Sequence, residues 1–139
     1  MAELLTEELL DELLSSPSVE EYLERRRFDE RGLSGYLQSL LAEKGLVQAQ
    51  VVRAAQLNPT FGYQVFMGTR GAGRNTVLQI AFAMGLTPRE ANRALQAAGS
   101  NVLYPKTRRD AIIIFCLQHG VDLVHANETL YRFGEETVC

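Results

Sequence analysis

Residues 46–68, LVQAQVVRAAQLNPTFGYQVFMG, constrain this chain more than any other stretch. They read as two short helices with a break at Gln56-Leu57-Asn58. Gly45 ends the helix before them and Gly68 ends the second, since a left-handed C-terminal cap favours glycine. Asn58-Pro59 is a good start for that second helix: Asn accepts from free backbone N–H groups, and Pro fits the first turn. Two helices joined by so tight a turn form the helix-turn-helix arrangement, whose second helix can enter a DNA major groove.

The flanking segments also read as helices. Residues 3–14 put leucines at 5, 9, 10, 13 and 14 on one face, with carboxylates on the other. Ser18-x-x-Glu21 is a capping box opening a helix to about Arg27, where Arg25-Arg26-Arg27 suits the C-terminal end of the macrodipole. Phe28 to Gly32 is the expected domain boundary. Ser34 is expected to cap a helix with the stripe Leu33, Leu37, Leu40 and Leu41. A helix from Arg74 to Met84 closes at Gly85. Thr87-Pro88-Arg89-Glu90 then combines an N-cap, a first-turn proline and a capping-box glutamate, opening a helix that ends near Gly99. In the tail, Thr107-x-x-Asp110 opens a helix whose run Ala111 to Leu117 is apolar nearly all round and so expected to be buried. Asp122 caps a last helix, with Gly134 as its stop. The expected fold is all-α: an acidic helical extension over 1–32, a helix-turn-helix domain over 33–100, and a helical pair over 101–139.

Over about Ser34 to Ala98 the helix order and spacing resemble the helix-turn-helix domain of the Cro and phage-repressor class, also called the xenobiotic-response-element family. The resemblance implies a sequence-specific DNA-binding regulator without a cofactor, working on double-stranded DNA and usually as a homodimer. It assigns phosphate contacts to Gln48, whose amide lies beside a helix N-terminus, and to Arg53, Arg70, Arg74 and Asn75. It assigns base reading to Thr60, Tyr63 and Gln64 on the outward face of the second helix; a glutamine amide can bond adenine N6 and N7 together. Gly62 stands where the family usually carries a bulky apolar residue, and Pro59 where it often carries a polar one. No lysine or arginine lies on the second helix itself, and Phe61, Tyr63 and Phe66 make it aromatic. The alternative reading is therefore an adaptor that keeps the fold and binds a protein partner through Phe61, Tyr63 and Phe66.

Charge fits the first reading better than the total of -3 suggests. Residues 1–32 hold ten acids and four arginines, net -6; residues 33–100 hold six basic residues and two acids, net +4; residues 101–139 are net -1. A basic middle is what a phosphate-binding module needs. The acidic extension is expected either to compete with DNA for that surface or to complete the core.

Other classes find less support. GTRGAGRN at 68–75 approaches a P-loop, but lacks its Lys and Ser/Thr and the preceding strand. Cys116, His119 and His125 are the only metal-like group; a structural zinc site usually wants four ligands, so Cys116 reads as packing and no metal is expected. No nucleophile–base constellation has supporting context, and no enzyme is expected. The acidic N-terminus is unlike a signal or transit peptide, no run is long and apolar enough for a membrane span, and two cysteines make no disulfide framework. These point to a cytoplasmic protein.

Overall fold

Capping side chains and glycines divide the chain into helices, and helices account for all the regular structure among the described residues. The computed structural model describes residues 6–21 and 32–139. The chain divides into two compact units, Met1–Glu30 and Arg31–Cys139. In the first, helix α1 spans Thr6–Ser15, and its Leu10, Leu13 and Leu14 are exposed. Ser18 Oγ accepts from the Glu21 N–H at 3.1 Å, as an N-cap should. The expected run of that helix to Arg27, the arginines at 25–27 and the boundary from Phe28 to Arg31 lie outside the described residues.

The second unit holds α2 (Gly32–Lys44), α3 (Gln48–Ala54), α4 (Pro59–Met67), α5 (Arg74–Met84), α6 (Pro88–Ala97), α7 (Arg108–Gln118) and α8 (Leu123–Arg132). The start signals act as their chemistry dictates. Asn58 Oδ1 accepts from the N–H groups of Thr60 and Phe61, at 3.0 and 3.1 Å. Thr87 and Glu90 close a reciprocal capping box, and Asp122 Oδ1 takes the His125 N–H. Two expected caps fail. Ser34 lies inside α2, which already begins at Gly32. Thr107 holds the N-cap position of α7 but makes no side-chain cap bond, and Asp110 turns instead to Arg74.

One hydrophobic core runs through this unit. Leu37, Leu40 and Leu41 of α2 share it with Val51 and Val52 of α3, Val65 and Phe66 of α4, and the apolar side of α5. Ile113, Cys116 and Leu117 of α7 and Leu123, Ala126 and Leu130 of α8 join the same cluster. Phe66 is fully buried, which corrects the expectation that it presents an aromatic surface. Residues 62, 65 and 66 share one helical face, and that face is the buried one. The expectation of a buried α7 also needs correction: Ile113, Cys116 and Leu117 point inward while Phe115 is 60% exposed. No helix among the described residues is long and apolar enough to cross a membrane.

Two local features fix how α3 meets α4. A Cβ on Gly62 would fall 2.4 Å from Val52 Cγ1, so the two helices approach at a distance only glycine allows. Gln56, in the turn between them, adopts a left-handed backbone with φ +58, where side chains other than glycine are strained by about 1–2 kcal/mol. The turn holds because Gln79 of α5, itself buried, donates from Nε2 to the Ala55 carbonyl at 2.9 Å. Ala55 is fully buried, and its carbonyl would otherwise be unpaired at a helix end.

Gly62→Ala should therefore destabilise the protein by roughly 1–3 kcal/mol through overpacking. In a Val52→Ala background the same change should become neutral or stabilising, since alanine is the better helix former. Urea denaturation of the four proteins of this cycle measures both; additive effects would mean the contact is not tight. Gln56→Gly should raise stability by about 1 kcal/mol in the same assay.

Candidate nucleic-acid interface

The outward side of α4 follows from its period once Gly62, Val65 and Phe66 face the core. Thr60, Tyr63 and Met67 are exposed and Gln64 is half-buried. The N-terminus of α4 is held by Asn58 and its C-terminus by Gly68, whose φ of +81 and closeness to Ser34 Oγ exclude a side chain. Between α3 and α4 lies a groove of about 380 Å³, lined by Gln48, Ala49, Val52, Arg53, Leu57, Pro59 and Tyr63. Three of the expected site residues, Gln48, Arg53 and Tyr63, thus meet at one feature.

Gln48 is placed by a residue that no local motif marks. Gln38 of α2 donates from Nε2 to the Phe66 carbonyl at 2.9 Å and to Gln48 Oε1 at 3.2 Å. These bonds join α2, α3 and the end of α4. They also occupy the acceptor end of the Gln48 amide, leaving its Nε2 as the end with hydrogens to give. Arg53 is exposed on α3. Arg70, exposed in the loop after α4, lies over the Phe61 ring with Cζ 5.7 Å from the centroid. Phe61 is half-buried beneath it.

Arg74 and Asn75 do not join this face. Arg74 forms a two-pronged ion pair with Asp110, at 3.0 and 2.8 Å, and donates to the carbonyls of Asn101 and Val102. Asn75 Oδ1 accepts from Arg109, which also holds the Glu136 and Thr137 carbonyls. Their hydrogen bonds tie α5 to the loop before α7 and to the C-terminal segment, so both act in the fold rather than at a phosphate. Burial alone would push the Asp110 carboxyl up, but the hydrogen bonds from Arg74, the Tyr104 N–H and the charges of Arg74 and Arg109 together hold it below the usual carboxylate range. The local signal was an acid at the start of an apolar helix; its partner is far away in sequence.

Charge is distributed to match. Lys44 pairs with Glu90 at 3.2 Å, and Arg74 with Asp110, so neither adds its full charge to a surface. Between Glu43 and Glu90 the chain contains no Asp or Glu, so no carboxylate from this stretch opposes Arg53 and Arg70.

The cysteine–histidine group does not converge. Cys116 is buried, which pushes its thiol pKa up, whereas His119 and His125 are exposed. His125 Nδ1 lies 2.6 Å from Asp122 Oδ1, and that hydrogen bond raises the imidazole pKa. Among the described residues no group of three or more His, Cys, Asp or Glu is placed to hold a metal ion. Comparison of the chain with family models, with curated proteins and with solved structures found no match.

Arg74→Ala should lower stability by roughly 2–3 kcal/mol, less than for a fully buried pair because the Arg74 side chain is 27% exposed. Asp110→Asn tests the same pair by pH. A carboxyl with a depressed folded pKa stabilises above its unfolded value and loses that contribution as pH falls through the folded one. The parent should thus lose stability more steeply than Asp110→Asn on acidification below the ordinary value of 3.8. Parallel curves for the two proteins would show that the pair contributes nothing.

Proposed function

We propose that residues 32–100 form a repressor-type helix-turn-helix domain that binds duplex DNA in a sequence-dependent way, with α4 in the major groove. The observation that carries this reading is an exposed face on α4 set in a stretch that contributes no carboxylate: no Asp or Glu stands between Glu43 and Glu90, while Arg53 and Arg70 are exposed. Backbone phosphates supply most of the affinity of such a contact, and a carboxylate there would repel them. In this reading Arg53, Arg70 and the Gln48 amide hold phosphate, and Thr60, Tyr63 and Gln64 read base edges. The chain would act as a transcriptional regulator, its two copies set on two half-sites.

Supporting this, α4 is fixed before any ligand arrives. Its two caps, the Gly62–Val52 contact and the Gln38 bonds leave it little freedom. A site held in place loses less entropy on binding. The adaptor reading is narrower than the sequence suggests, because Phe66 is buried and Phe61 half-buried, leaving Tyr63 as the exposed aromatic of the three.

A binding selection on random duplex DNA tests the proposal. It should enrich one motif, with affinity falling steeply as salt rises. Arg53→Ala and Arg70→Ala should each flatten the log K against log salt slope by about one unit, while Gln64→Ala should cost about 1–3 kcal/mol at one base position. No enriched sequence, or a slope that neither arginine changes, would overturn DNA binding in favour of the adaptor.

A further inference from the structure

The groove of about 380 Å³ between α3 and α4 has the size and make-up of a small-molecule site. Ala49, Val52 and Arg53 are spaced three and four apart and so share one side of α3. Pro59 and Tyr63 likewise share one side of α4, and Leu57 in the turn completes the lining. The short side chains of Ala49 and Pro59, both exposed, leave the space between them open. The apolar walls carry polar groups of one kind. Arg53 is a permanent cation, and among the described residues no carboxylate pairs with it. Gln48 Oε1 is taken by Gln38, so the free end of its amide offers hydrogens. Tyr63 adds a hydroxyl from an exposed side chain. No carboxylate lines the groove.

We propose that this groove binds a small amphipathic carboxylate, a molecule with an apolar body and one anionic end. The body covers Ala49, Val52, Leu57 and Pro59, and the carboxylate takes the Arg53 guanidinium and the hydrogens of Gln48 Nε2. A bare phosphate would leave the apolar walls in water, and a cation would meet like charge at Arg53. A neutral apolar molecule would leave Arg53 and the Gln48 amide unmatched. Gln48, Arg53 and Tyr63 are also the groups proposed to hold phosphate and read base edges, so ligand and duplex exclude each other. Binding of the acid therefore releases DNA. That regulatory step rests on the DNA-binding reading; the ligand site itself does not, and the two are tested apart.

Naphthoate and decanoate, titrated into the full chain and followed by amide NMR shifts, should each bind saturably, with the shifts centred on residues 48–53 and 57–63. Naphthamide, with the same body and no charge, should bind about three- to fivefold more weakly than naphthoate, the range of an exposed ion pair. Arg53→Gln should remove that preference and leave naphthamide binding unchanged. Ala49→Phe should fill the groove and abolish binding of all three probes. Both positions are exposed, so both variants should keep the parent's helical circular dichroism. On a selected duplex, naphthoate should raise the apparent Kd for DNA about twofold at a concentration equal to its own Kd. Failure of both acids to bind, equal affinity for acid and amide, or binding unchanged in folded Ala49→Phe would overturn the site. An unchanged Kd for DNA at saturating naphthoate would overturn the competition. A chain that binds naphthoate at these residues and no duplex would support the site and overturn the DNA reading instead.

Discussion

Helices α3 and α4 approach where Gly62 has no side chain and where one more carbon would lie 2.4 Å from Val52 Cγ1. That closeness sets the position of α4 relative to α3, and much of the surrounding chemistry serves to keep it. The short distance leaves a turn so tight that Gln56 must take a left-handed backbone. The strained turn in turn depends on Gln79, whose amide reaches from α5 to the Ala55 carbonyl. On the other side, Gln38 reaches from α2 to the last turn of α4 and to Gln48. Two helices thus supply polar bonds to hold two short ones, which on their own would be marginal in water.

Local chemistry was legible in the sequence and distant pairing was not. Asn58-Pro59, the Thr87–Glu90 box, Asp122 and the terminal glycines act within a few residues, so the string of letters contains both partners. Arg74 and Asp110 are separated by most of two helices, and no spacing rule joins them; as a result Arg74 read as a phosphate contact when it is a fold contact. Phe66 was a different case. Counting from Val65 by the helical period places it on the inner face, and only the density of aromatics at 61, 63 and 66 suggested otherwise. In α7 the period had nothing to act on, because residues 111–117 are apolar without a break. Which side faces in was decided by the packing of α7 on α6 and α8.

Gly62 owes its place to its neighbour across the helix pair. In a helix interior, glycine costs about 1 kcal/mol against alanine, and the resemblance assigns a bulky residue there. The structure supplies the reason: Val52 already fills the space that such a side chain would take.

The same bookkeeping applied to charge bears on how the proposed interface would work. Of the six basic residues between 33 and 100, Lys44 and Arg74 are held by Glu90 and Asp110. Arg53 and Arg70 remain on the side of α4, and each phosphate neutralised contributes about 0.9 to the salt slope. A single copy would then have a slope of roughly two, too little electrostatic attraction to hold a site at physiological salt unaided. A second copy on an adjoining half-site would double the slope and, if joined to the first, make its own contact an intramolecular encounter.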